Sequence, residues 1–307
     1  MIESRKLDHE RRQRILERIS TLDTLPSLPR VVSEMLRLLA EDDYSMEELM
    51  ELVQQDPALT ARVLKLANSA IYGRPRQIES LQQAMVVLGG KELHRLVTTI
   101  SVMRSFDDIF SRDRILDKEL FWSHSVGTGE LTHRVASYFN LEFRGVDFTA
   151  GLLHDVGKVV LDQHFHAEFR DCLELTNRRG LPLFEAETKL LGLDHAEVGA
   201  VLAAKWELPD SLRAAIRNHH CFDTKDPHAL LVACVRLANH LVKDEAMSCL
   251  GEDNLWQIEM DPAWQILSEA RHQQELQERR SALEEIRGGI QAARDRVRSL
   301  VGEISRR

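Results

Sequence analysis

The chain has 307 residues, 43% of them hydrophobic and 29% charged, with 49 Asp and Glu against 40 Lys and Arg and a formal net charge of −9. That length carries one large domain or two modest ones, and the acidic balance argues against a nucleic-acid partner, whose phosphates are usually met by a basic excess. No apolar run reaches the roughly 18 residues of a transmembrane helix, and the charged start MIESRKLDHERRQRILERIS lacks the apolar stretch of a secretory signal, so no membrane contact and a cytoplasmic location are expected.

Helical periodicity dominates from the start. Residues 1–21 read as a charged N-terminal helix. Ser45 with Glu48, and Ser80 with Gln83, have the spacing of capping boxes, and Asp56-Pro57 reads as an N-cap followed by Pro at the first helical position. Leu59, Val63, Leu66 and Ala67 then form one apolar stripe; Leu81, Ala84, Met85 and Leu88 form another that stops at Gly89-Gly90. Residues 104–120 read as a linking loop with a short turn. Helices are expected at 121–139, 147–162, 165–178, 183–191, 195–206, 209–220 and 228–244, then a linker at 251–262. Cys172, Cys221, Cys234 and Cys249 form no C-x-x-C pair, so buried or half-buried thiols of a reducing compartment are expected. Trp206 and Trp256 read as packing residues.

The tail differs. Leu276, Leu283, Ile290, Val297 and Ile304 recur every seven residues, with Ile286, Ala293 and Leu300 three residues after members of that series. This is an a/d heptad pattern, interrupted by Gly288-Gly289, and it reads either as a dimerising coil or as one amphipathic helix folded back on the body.

Candidate chemistry centres on LLHDVGK, residues 152–158. His154 and Asp155 are adjacent metal-ligand types. His124 shares a helical stripe with Leu131, Val135 and Tyr138, and His219 shares one with Leu212, Ala215 and Ile216, so both point inward. His220 follows directly, and His195 opens a helix capped by Asp194. Imidazoles and a carboxylate gathered from several helices suit a divalent metal such as iron, manganese, zinc or nickel; the other reading is a set of core histidines bonded to backbone. His9, His94, His133, His164, His166, His228, His240 and His272 share no spacing and read as solvated surface.

The runs LPSLPRVVSEMLRLL, QQDPALTARVLKLANSAIYG and IESLQQAMVVLGGKELHRLV, followed by FWSHSV, GLLHDVGKVVL and LDHAEVGAVLAAKWELPDSLRAAIRNHH, resemble the HDOD family in order and spacing. The resemblance implies an all-α, multi-helix bundle of the HD kind over residues 22–250, with an N-terminal half at 22–110, an HD-like half at 118–245 and a helical or coiled-coil tail at 262–307. It also implies kinship with HD phosphohydrolases and with HD-GYP phosphodiesterases of cyclic di-GMP. On that kinship His124, His154, Asp155, His195, His219 and His220 fall on metal-ligand positions, and Lys158 on the lysine that faces substrate phosphate.

Two departures bear on activity. The late aspartate of HD hydrolases falls near Asn239, whose neutral amide cannot bridge two metals, and the glutamate that supports a third metal is replaced by Leu120. The GYP signature is absent too. A regulatory signal-transduction module is therefore expected, relaying through protein–protein contacts to a partner or output domain, with a homodimer through residues 265–307 and a nucleotide as candidate partners. The alternatives are a metal-dependent phosphohydrolase or cyclic-dinucleotide phosphodiesterase, and a helical adaptor with no pocket ligand.

Overall fold

The computed structural model describes residues 2–22, 25–40, 45–69, 72, 77–107, 109–110, 114–244, 250, 258–271, 284–286, 294 and 297–305. Among them every regular element is helical, and no helix is long and apolar enough to cross a membrane. The N-terminal half holds α1 (Ile2–Ser20), α2 (Arg30–Ala40), α3 (Met46–Gln54), α4 (Pro57–Ala67), α5 (Leu81–Leu88) and α6 (Gly90–Ser105).

Local signals explain where these helices begin. Ser45 Oγ accepts from the Glu48 N–H at 3.2 Å while Glu48 Oε2 accepts from the Ser45 N–H at 2.8 Å, a complete capping box. Asp56 Oδ1 accepts from the Leu59 N–H at 2.9 Å ahead of Pro57. The second box closes only half as expected: Ser80 Oγ accepts from the Gln83 N–H, but the Gln83 side chain reaches the Glu79 N–H instead. Gly89, at φ 84°, turns the chain between α5 and α6, a conformation that glycine adopts without steric cost.

The second half runs through α7 (Lys118–Tyr138), α8 (Val146–Leu153), α9 (Val156–His164), α10 (His166–Arg179), α11 (Leu183–Leu191), α12 (His195–Lys205), α13 (Asp210–Asn218), α14 (Ala229–Asp244) and α15 (Pro262–Ala270). Three expectations are corrected here. The loop read at 104–120 is shorter, because Asp117 caps α7 through the Leu120 N–H at 2.8 Å and helix starts at Lys118. The single helix read at 147–162 breaks at His154-Asp155. Asp155 leaves helical geometry (φ −98°, ψ 8°) and makes no side-chain cap bond, its carboxylate being drawn to the histidines instead. Lastly, α13 stops at Asn218, so His219 and His220 lie in the turn beyond it.

α7 packs along α8 and α14, while α12 packs on α9 and α13. The larger core joins the N-terminal half to α8–α13; a second core gathers Val135, Phe139, Leu237, Leu241 and Trp264. Described tail positions complete these cores. Ile286 is buried with Trp264 and Phe139, while Val297, Leu300, Val301 and Ile304 join the larger core. These positions are covered by the chain's own body, the folded-back alternative for the tail. Leu276, Leu283, Ile290 and Ala293 lie outside the described residues, as do 251–257 of the expected linker.

Candidate metal centre

Five segments converge on Asp155. His124 comes from the buried face of α7, and His154 from the end of α8. Lys158 sits in the first turn of α9, His195 opens α12, and the turn after α13 supplies His219 and His220. His124, His154, Asp155 and His219 are completely or almost completely buried, as are Lys158 and His195; His220 is half-buried. Asp155 Oδ2 lies 3.3 Å from His124 Nε2, 3.4 Å from His154 Nε2 and 2.7 Å from Lys158 Nζ. Its Oδ1 lies 3.1 Å from His195 Nε2 and 3.6 Å from His219 Nε2. His220 Nε2 faces His195 Nε2 at 2.8 Å. All six metal-ligand candidates and Lys158 are thus brought together, in two donor groups that share the one carboxylate: His195, His219 and His220 on one side, His124 and His154 on the other.

The far side of each ring fixes what its near side offers. His154 Nδ1 donates to the Gly151 carbonyl at 2.7 Å, and His219 Nδ1 to the Ile216 carbonyl at 2.8 Å. A carbonyl only accepts, so the proton is on Nδ1. Burial lowers the pKa of both rings, to about 4 for His219. Their Nε2 atoms are therefore bare lone pairs, without a hydrogen-bonding partner, and they face a carboxylate. Burial opposes ionisation of Asp155, but His154 and Lys158 hold its carboxyl well below the usual range. Acceptors facing acceptors inside a dry core are costly unless a cation lies between them, and imidazole with carboxylate is a fitting donor set for a divalent transition metal. The residues fit a metal.

Neighbours orient the remaining rings. Glu187, buried on α11, accepts from the His195 backbone N–H at 2.8 Å and binds its Nδ1 at 2.6 Å. Burial disfavours the charged form of both partners. It raises the Glu187 carboxyl, and the glutamate in turn pushes His195 up to about 9, so a proton is held between them. His220 stacks on Phe184 with ring centroids 4.5 Å apart. Arg236 donates to the carbonyls of His219 and His220 at 3.2 and 2.7 Å and is itself clamped by Asp261, the N-cap of α15. The position of His195 depends on bare backbone contact: a Cβ on Gly157 would lie 1.9 Å from the His195 carbonyl oxygen, whereas one on Gly199 would meet the Ile216 Cγ2 methyl at 2.9 Å.

Glu187, Phe184 and Arg236 are not among the sequence candidates. A readable signal existed for Glu187, a carboxylate on the stripe Leu183, Ala186, Glu187, Leu191. Such carboxylates behind a ligating histidine typically carry 10–100-fold in metal affinity. Glu187→Gln is expected to weaken zinc binding by about that range, as read by competition with a chromophoric chelator.

The other sequence expectations divide. His94 is corrected: only 5% exposed, it faces the interior from α6. His133, His164, His166, His228 and His240 are half-buried, while His272 and the side chain of His9 lie outside the described residues. Cys172 and Cys234 are buried, Cys221 is exposed, and Cys249 lies outside. Trp206 is a packing residue whose Nε1 donates to the Pro26 carbonyl, and Trp256 lies outside. Leu120 is exposed and Asn239 buried on α14.

Residues 25–222 match the family model for the HDOD domain. A crystal structure of an HDOD domain protein of unknown function from Geobacter sulfurreducens is 26% identical, superposes with a TM-score of 0.80, and covers 97% of this chain and 99% of its own. A protein from Shewanella amazonensis, provisionally assigned as a phosphohydrolase, shares the fold at 21% identity and a TM-score of 0.68, over 94% of this chain and 97% of its own. An uncharacterized protein of Treponema pallidum is 28% identical over 231 residues, 72% of this chain but 43% of that relative's length.

Proposed function

The chain belongs to the HDOD family, and from that premise we propose that it is a regulatory signal-transduction module whose Asp155 cluster holds one divalent metal as a fixed part of the fold. The observation that carries this reading is the position of Lys158. Its ammonium is 1% exposed and bound to Asp155 Oδ2 at 2.7 Å, on the side of the carboxylate where His124 and His154 would build a second metal site. One side of Asp155 already has a positive charge, and a second cation would be repelled from it. The other side, with His195, His219 and His220, has four donors within 4.8 Å of one another, enough for one metal. A lysine engaged in this way serves the cluster's charge balance rather than a substrate phosphate. Burial of the whole set leaves the protein's outer surface to carry the signal, through contacts with a protein partner.

The phosphohydrolase alternative draws support from a single feature, the sharing of Asp155 between two donor groups, which resembles the clamp of two-metal hydrolysis. Against it stand Lys158 and the neutral Asn239.

Elemental analysis of protein purified without added metal separates the two readings. About one equivalent of iron, manganese, zinc or nickel per chain is expected, with a thermal midpoint that falls on chelation and returns when metal is restored. No hydrolysis of bis(p-nitrophenyl) phosphate or cyclic di-GMP is expected with added manganese or iron. Two equivalents, together with turnover that Lys158→Ala increases or Asp155→Asn abolishes, would replace this reading with the hydrolase.

A further inference from the structure

A separate cavity of about 670 Å³ opens between the start of α6, the C-terminal turns of α7 and the 140–148 segment. It is distinct from the metal cluster. α7 gives His133 to the cavity and His124 to the cluster, nine residues or about 13 Å apart along the helix. α8 begins at the cavity, with Asp147 and Phe148, and ends at the cluster with His154. The volume is that of a site for a small organic ligand.

Its two ends differ chemically. At the rim, α6 starts at Gly89 without any side-chain cap, so the first-turn N–H groups beside Gly90 are not met by a side chain, and the exposed Lys91 stands next to them. Backbone N–H groups, the positive end of a 16-residue helix and an ammonium together favour an anion. The exposed Arg144 adds positive charge to the rim, while the guanidinium of Arg95 in the lining is paired with Glu92 at 3.3 Å and Glu130 at 2.9 Å. Deeper in, His94 lines the same cavity at 5% exposure, and its Nε2 meets no hydrogen-bonding partner. Burial lowers its pKa to about 4, so at neutral pH it presents an uncharged ring. Asp147, held by His133 Nδ1 at 2.7 Å, and the Phe148 ring complete the inner wall. Leaving a buried ring nitrogen unsatisfied is costly, and a ligand with a polar body would relieve that cost.

We propose that this cavity binds a phosphomonoester of about nucleotide size, with its phosphate at the α6 N-terminus and Lys91 and its polar body against His94. The proposal goes beyond the metal reading and does not depend on it.

Calorimetric titration of the full chain with AMP, GMP, CMP, UMP and glucose 6-phosphate, each compared with inorganic phosphate, tests it. At least one ester should bind one-to-one and about tenfold more tightly than phosphate itself. A nucleotide or a sugar phosphate as the winner would identify the source. Lys91→Glu, at an exposed position that should not disturb folding, should weaken that binding about tenfold or more. His94→Phe should weaken it too, with its circular dichroism checked first. Chelator-treated protein, its fold checked by circular dichroism, should bind as the untreated protein does. Binding no tighter than inorganic phosphate, indifference to Lys91→Glu, or loss of binding on chelation would each overturn the proposal.

Discussion

Asp155→Ala should abolish metal retention and cost about 3–5 kcal/mol of stability, the range for removing one partner of a buried ion pair. The carboxylate is the single anion among Lys158 Nζ at 2.7 Å, His195 Nε2 at 3.1 Å and three further imidazoles within 3.6 Å. Without it the Lys158 ammonium, 1% exposed, is left in the core without its carboxylate. The outcome is read from the urea midpoint and from the metal content of the purified variant. Asp155→Asn keeps the shape and removes the charge, so it separates lost packing from lost electrostatics: if charge is the cause, both variants should fall by similar amounts. A variant that keeps its metal and its midpoint would remove Asp155 from the centre of the site.

Gly157→Ala should be as damaging, for a steric reason. The added Cβ would lie 1.9 Å from the His195 carbonyl oxygen and 2.7 Å from the Gly199 nitrogen. Both are backbone atoms, so no rotamer change relieves the contact, and α9 must move off α12. Ordinary overpacking costs about 1–3 kcal/mol; a backbone-on-backbone clash belongs at or above the top of that range. Because His195 is the first residue of α12, the same displacement pulls it away from Asp155, so metal content should fall together with the thermal midpoint. Gly302→Ala is the internal control. Nothing lies within 4 Å of its added Cβ, so helix propensity alone predicts a gain of up to about 1 kcal/mol. A Gly157→Ala protein with an unaltered midpoint would mean that α9 and α12 are less closely joined than described.

The helical character of this chain and the membership of its cluster were readable because both rest on local spacing. Inward-facing stripes carry His124 and His219, the HD dipeptide supplies His154 and Asp155, and the Asp194 cap places His195 at a helix start. What escaped reading is what tertiary contact decides. The break at His154-Asp155 divides the stretch read as one helix at 147–162, and its cause lies in the histidines and in α12. Glu187 lies on an apolar stripe of α11, but nothing local names the ring it meets, because His195 is on another helix. His94 sits in the mixed run Lys91-Glu92-Leu93-His94-Arg95-Leu96, which fits the surface as readily as the interior, and burial alone distinguishes the two. The heptad of the tail encodes an apolar face without naming what covers it, and the described positions are covered by α7, α14, α15 and the main core.

The convergence of four separate stretches of chain on one carboxylate has a topological consequence. An ion held there acts as a removable cross-link between stretches of chain far apart in sequence, closing several loops at one point. A metal held by Asp155, His195, His219 and His220 would make the start of α9, the start of α12 and the turn after α13 open together, while α2–α5, which contribute nothing to it, would keep their own local opening equilibria. Loading or losing such an ion would reset how cooperatively these segments open, and a binding partner that senses stiffness could read that state.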